Sequence, residues 1–363
     1  MINANRLDAG FLKYQSEYEQ AAIDVLRSGW YVLGKQVESF EKEFADYVHS
    51  KYCVGLDNGL NALKLAFRAL GIGEGDEVIV QANTYIASVM GVSMNRATPV
   101  MVETDEYFGI DPEAVEKAIT DKTKAVLVVH LYGHTCRMDA ITDICKRHNL
   151  KLVEDCAQSH GSTFDGQISG TFGDIGCFSF YPTKNLGAFG DAGAIVTDDE
   201  ELAKKIRILR NYGSQKRYYN EVVGENSRLD EMQAALLRVK LSHMDELNEE
   251  RAEIAKRYNE GIKNPLITLP PVSDRVKCVW HQYVIRCDRR DELAEYLKDK
   301  GIGTIIHYPI PPHLSQAYEY LGYKKGDFPL TEKYADTVLS IPIFNGLTRE
   351  DQDMIIDTIN NYR

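Results

Sequence analysis

Between residues 52 and 212 the chain alternates short apolar runs with helix-length segments, and this alternation restricts its fold more than any other feature. The runs 52–56, 77–80, 99–102, 125–130, 151–154, 177–180 and 194–197 have strand length. The segments 61–70, 86–94, 112–119, 138–148 and 200–211 read as helices. Such a pattern predicts an α/β fold, a mostly parallel sheet covered by helices, with ligands at the carboxyl ends of the strands. A polar helix is expected next, from Ser227 as N-cap with Asp230 three residues on, to about residue 260. From Pro265 the chain reads as a smaller α+β unit, with a strand at 279–287, a helix at 290–300 and a proline-rich turn at 307–313. The expected division is a large domain, 1–245, and a small C-terminal domain, 246–363, on which the N-terminal segment is a candidate to pack.

At 363 residues, 44% hydrophobic and 26% charged, the chain can bury one large core and a second smaller one. A net charge of −12 argues against nucleic acid or an anionic membrane face as partner, yet leaves room for a local basic cluster that binds an anionic small molecule. The seven cysteines include no C-x-x-C pair, which favours a reducing cytoplasm over a disulfide framework. Charged residues punctuate the first two dozen positions, and the uncharged run 78–95 carries Gln81, Asn83, Ser88, Ser93 and Asn95. Neither a signal peptide nor a membrane span is expected.

Two strand ends carry chemistry. Asp155 follows the run 151–154, in Val153-Glu154-Asp155-Cys156-Ala157-Gln158. Lys184 lies past Ser179-Phe180-Tyr181-Pro182-Thr183 and just before the small-residue stretch 187–193. A lysine after a strand is ordinarily a solvated charge, and an aspartate there is commonly a helix N-cap. Close packing by small residues would desolvate the amine and make it nucleophilic. A lysine able to form a Schiff base, with a carboxylate to keep a pyridine nitrogen protonated, is the minimum equipment for pyridoxal 5'-phosphate (PLP) catalysis. Gln158 could meet a phenolic oxygen, and Asn58-Gly59-Leu60-Asn61 opens a helix whose backbone N–H groups suit a phosphate. Tyr85, at another strand end, could stack on a ring. His130 and His134 have helical ligand spacing on a non-helical step, so no metal is expected. Lys216 and Arg217 lie in a polar loop and could hold a diphosphate.

These pieces, in this order, resemble the PLP-dependent nucleotide-sugar aminotransferases of the DegT/StrS type. The resemblance begins at Ser28-Gly29-Trp30-Tyr31-Val32-Leu33-Gly34 and runs through 58–63, 154–161, 176–193 and Asn226-Ser227-Arg228-Leu229-Asp230. It implies a type I aminotransferase fold and a homodimer with two active sites at the subunit interface. It also implies roles. Lys184 would bind the cofactor and shuttle the proton, Asp155 would pair with the pyridine nitrogen, and Gln158 with the ring hydroxyl. Tyr85 would stack on the ring, Gly59, Leu60 and Ser179 would hold the phosphate, and Asn226 would reach it from the partner subunit. Many members carry a hydroxyl residue where this chain has Leu60, so the backbone must bind there. The run Asn58-Gly59-Leu60 and the segment 306–313 are most similar to members that aminate carbon 3 of dTDP-linked keto-deoxyhexoses, with His307 a candidate sugar contact and glutamate the expected donor. Amination at C4 is the nearest alternative. A sugar dehydratase of this fold has histidine in place of the lysine, a regulatory homologue need not keep a reactive amine, and no G-x-G-x-x-G supports a nicotinamide site.

Overall fold

The computed structural model describes residues 1–363. Seven strands form the central sheet: β1 (Tyr52–Leu56), β2 (Glu77–Gln81), β3 (Thr98–Val102), β4 (Thr123–Val129), β5 (Lys151–Asp155), β6 (Ile175–Ser179) and β7 (Gly193–Thr197), in the spatial order β1-β7-β6-β5-β4-β2-β3. Pairing is parallel throughout except at β7, which runs antiparallel to both β1 and β6. The reason is local. Residues 180–192, which join β6 to β7, contain no helix to carry the chain back across the sheet, so the strand returns antiparallel. That connection contains Lys184.

Side-chain alternation explains why the strands read as unbroken apolar runs: both faces of the sheet are covered. Val54, Leu56, Val78, Val80, Leu127 and Val153 pack against α4 (Gly59–Ala69), α5 (Ile86–Ser93) and α8 (Glu200–Leu209). Their alternates meet other helices. Ile79, Val126, Val128 and Leu152 pack with α7 (Met138–His148), while Cys53, Phe178 and Val196 pack with α3 (Lys35–Val48) and α9 (Glu231–Ser242).

The single helix expected over 227–260 is two, α9 and α10 (Met244–Gly261), broken at His243. The break is tertiary in origin: the His243 ring stacks on Tyr14 at 3.8 Å and its Nε2 meets Glu17 at 3.1 Å. Ser227 is not the N-cap. Its hydroxyl donates to Asp57, and Asp230 precedes the helix without a side-chain cap bond.

From Ile254 onward the chain builds a second apolar core around β8 (Tyr283–Arg286) and β9 (Val338–Ile341), which pair antiparallel. The strand expected over 279–287 is thus shorter at both ends. Ile2 joins this core, its backbone bonded to Gly301 and Gly303 at 2.8 Å each. No helix is long and apolar enough to cross a membrane.

Candidate active site

Because β7 reverses between two parallel neighbours, the carboxyl ends of β1, β2, β4, β5 and β6 all face one side, and a crevice of about 620 Å³ opens there. Its lining brings together Gly59, Leu60, Tyr85, Asp155, Gln158, Ser179, Lys184 and His307. Asn226, Lys216 and Arg217 are not brought to it: in one chain they lie exposed on the segment 214–226, where Lys216 and Arg217 cover the Tyr219 and Tyr218 rings.

Lys184 is half-buried and makes no ion pair. Desolvation pulls its amine from 10.5 down to about 8, against the opposing pull of the Asp155 charge. Asp155, the last residue of β5, is buried, and burial raises its carboxyl while hydrogen bonds and the Lys184 charge resist. Oδ2 accepts from Ser88 Oγ at 2.8 Å and Oδ1 from Ala157 N at 3.1 Å, leaving each oxygen capacity to accept a further hydrogen bond. The two charges interact through space without an ion-pair contact, and both line the same crevice.

Gln158 is oriented by its neighbours. Its Oε1 accepts from Tyr132 N at 2.7 Å, and its Nε2 donates to Tyr308 Oη at 3.1 Å, with a second N–H to spare. Across the crevice the Tyr85 and Tyr308 rings lie 5.1 Å apart. At the start of α4, Asn58 caps Asn61 N at 2.8 Å, and the preceding N–H groups of Gly59 and Leu60 have no helical carbonyl to meet. A Cβ on Gly59 would stand 2.5 Å from Ser179 Cβ, so the turn and the hydroxyl are pressed together as a cradle only glycine permits. An acid, an amine, a free amide donor and a helix N-terminus are the groups PLP requires, and these residues fit it.

Several residues here escaped sequence reasoning. His281 lines the crevice as a neutral imidazole. Asn185 Nδ2 donates to Asn248 Oδ1 (2.9 Å) and Val279 O (2.8 Å), so its Oδ1 must accept from His281 Nδ1–H at 3.1 Å. This ties the residue after Lys184 to the 279–282 wall. Arg251, buried without a carboxylate, donates to the carbonyls of Trp280, His281 and Ile343 and holds the same wall. His307, whose Nδ1 meets Ser340 Oγ at 2.8 Å, is pulled down to about 4 by burial and by the Lys184 charge. His130 and His134 are engaged elsewhere, by Glu154 at 2.9 Å and Ser273 N at 3.2 Å. Only Thr84 and Ser88, four residues apart after a strand end, had a local signal that could have been read.

A model of the DegT/DnrJ/EryC1/StrS aminotransferase family matches residues 13–360. The chain is 51% identical over 352 residues to the dTDP-3-amino-3,6-dideoxy-alpha-D-galactopyranose transaminase of Aneurinibacillus thermoaerophilus, covering 97% of this chain and 96% of that protein. The crystal structure of Streptomyces venezuelae DesV with a ketimine intermediate superposes with a TM-score of 0.97 at 48% identity, over 99% of this chain and 97% of that one. NtdA of Bacillus subtilis, solved with bound PMP, gives 0.86 at 33% identity, over 96% of this chain and 81% of that one. Likeness of this extent, joined to a desolvated lysine and a buried carboxylate at one crevice, makes the protein a PLP-dependent aminotransferase of the DegT/DnrJ/EryC1/StrS family.

Proposed function

We propose that this aminotransferase moves an amino group from glutamate to a nucleotide-linked keto-deoxyhexose, a dTDP-3-keto-6-deoxyhexose, and releases the dTDP-3-amino sugar. The observation that carries this reading is the crevice itself: Lys184 is its only cationic side chain, Asp155 and Asp191 are its only carboxylates, and the rest of the wall is amide, hydroxyl, aromatic, aliphatic and neutral imidazole groups. Such a lining suits an uncharged sugar ring. The 3-amino-sugar product in the name of the A. thermoaerophilus relative favours C3 over C4.

Two phosphates of a nucleotide sugar need cations that one chain does not supply at the crevice. Lys216, Arg217 and Asn226 stand exposed on the 214–226 segment, and the reading assigns them to the crevice of a second copy in a homodimer.

When bound, PLP supplies an electron sink for charge that develops on the substrate carbon. Lys184, with an amine near 8, is neutral in a substantial fraction of molecules at physiological pH and can both bind the aldehyde and carry a proton to and from that carbon. With PLP bound, Asp155 would accept a hydrogen bond from the ring nitrogen, Gln158 would give its spare N–H to the phenolic oxygen, and Tyr85 would lie against the ring.

Borohydride reduction followed by peptide mass spectrometry should find a pyridoxyl group on Lys184. Incubation with glutamate and either 3-keto or 4-keto dTDP-6-deoxyhexose, read by NMR, should give amine at C3 alone. Amination at C4, or a deoxygenated sugar with free ammonia, would refute the substrate assignment.

A further inference from the structure

The carboxylate of Asp155 is buried, and no cation lies in ion-pair contact with it. The titratable groups that face it are Lys184 from the loop after β6, His130 after β4, Cys156 and Cys177 beside it, and Tyr308 across the crevice. None of them is hydrogen-bonded to it. Its only side-chain donor is Ser88 Oγ, on the first turn of α5, at 2.8 Å.

Ser88 is in turn 2.8 Å from Thr84 Oγ1. A carboxylate only accepts, so the Ser88 proton points at Asp155, and the Ser88 oxygen must accept from the Thr84 hydroxyl. The direction of the chain is therefore fixed as Thr84 to Ser88 to Asp155. All three side chains are buried, and a hydroxyl that accepts one hydrogen bond donates the next more strongly.

We propose that Ser88, oriented by Thr84, is the positioning residue that keeps the Asp155 carboxylate charged and aimed into the crevice. The inference rests on the reading that Asp155 meets the cofactor's ring nitrogen. Without the Ser88 donor, the proton shared between ring and carboxyl moves toward the carboxyl, and the ring loses positive charge. That charge lowers the proton affinity of the nitrogen joining Lys184 to the cofactor, so its loss raises the pH at which that nitrogen titrates.

The test compares wild type with Ser88→Ala, Ser88→Thr and Thr84→Val, purified with PLP and checked for fold by circular dichroism and melting. The readouts are the midpoint of the pH-dependent absorption change of bound PLP and the PLP dissociation constant. Ser88→Ala is expected to move the midpoint up by about one pH unit and weaken PLP about tenfold, the loss of one charge-assisted hydrogen bond. Ser88→Thr should restore both, and Thr84→Val should fall between. A folded Ser88→Ala protein with the wild-type midpoint and affinity overturns the inference.

Borohydride trapping on wild-type Lys184 separates the two readings. If wild type yields no adduct, the cofactor assignment falls, and the apoprotein decides the Ser88 role. There the wild-type advantage over Ser88→Ala in urea should be full near pH 7 and shrink as pH falls through the Asp155 titration. An advantage independent of pH overturns it.

Discussion

Replacing Lys184 with methionine in the cofactor-free protein should stabilise it near pH 7, because the native fold holds this amine where water solvates it poorly. The unfolded lysine titrates at 10.5 and the folded one at about 8, so below 8 both are charged and folding carries the whole burden of burying the charge. Between 8 and 10.5 the unfolded chain binds the extra proton, and wild-type stability from this group climbs with pH. Above 10.5 both forms are neutral and the burden is gone. At 1.36 kcal/mol per unit, the difference amounts to about 3 kcal/mol, and water reaching the half-buried amine reduces it to about 1–3 kcal/mol. Methionine has similar length and no charge, so the variant should exceed wild type by that amount at pH 7, lose most of the advantage by pH 10 and the rest above 10.5. Urea unfolding of both apoproteins at several pH values, at one protein concentration, measures it. A variant no more stable than wild type at pH 7, or a gap that does not change with pH, would mean that the amine is solvated and the argument for its reactivity fails.

Glu154→Gln should cost about 3 kcal/mol or more in urea unfolding. The buried carboxylate accepts from Gly170 N, Phe172 N, Gly173 N and His130 Nε2 at 2.7–2.9 Å, and an amide would turn its NH₂ against some of those donors, at about 1–3 kcal/mol each. Gly59→Ala should weaken PLP binding about tenfold or more in equilibrium dialysis and also lower the melting temperature of the apoprotein, since its Cβ would stand 2.5 Å from Ser179 Cβ and force the cradle apart. Hybrid dimers of Lys184→Ala and Asn226→Ala chains, separated by tags, should be more active than either parent homodimer. Activity no higher than the mean of the parents would argue against shared sites.

The alternation of strand and helix between 52 and 212 is carried by local periodicity, so the layered sheet was legible, as were Asp155 and Lys184 at strand ends and Gly59 at a helix start. Element ends were less so: Asp155 proved to be the last residue of β5 rather than the first beyond it. Gln158 and Tyr85 could be read as ring contacts from their places near strand ends, while the resemblance alone supplied the phosphate role of Ser179; the crevice brings all three together. What spacing could not encode is whatever depends on segments far apart in the chain. His243 breaks a continuous helical pattern because Tyr14 and Glu17 reach it from more than two hundred residues away. His281 joins the site because Asn185 and Arg251 anchor its turn, and Ser88 matters because α5 packs where β5 ends. Periodicity records which face of each element is dry. The meeting of polar groups across that dry interior is decided only when the elements pack, because burial without water forces every donor to find its particular acceptor.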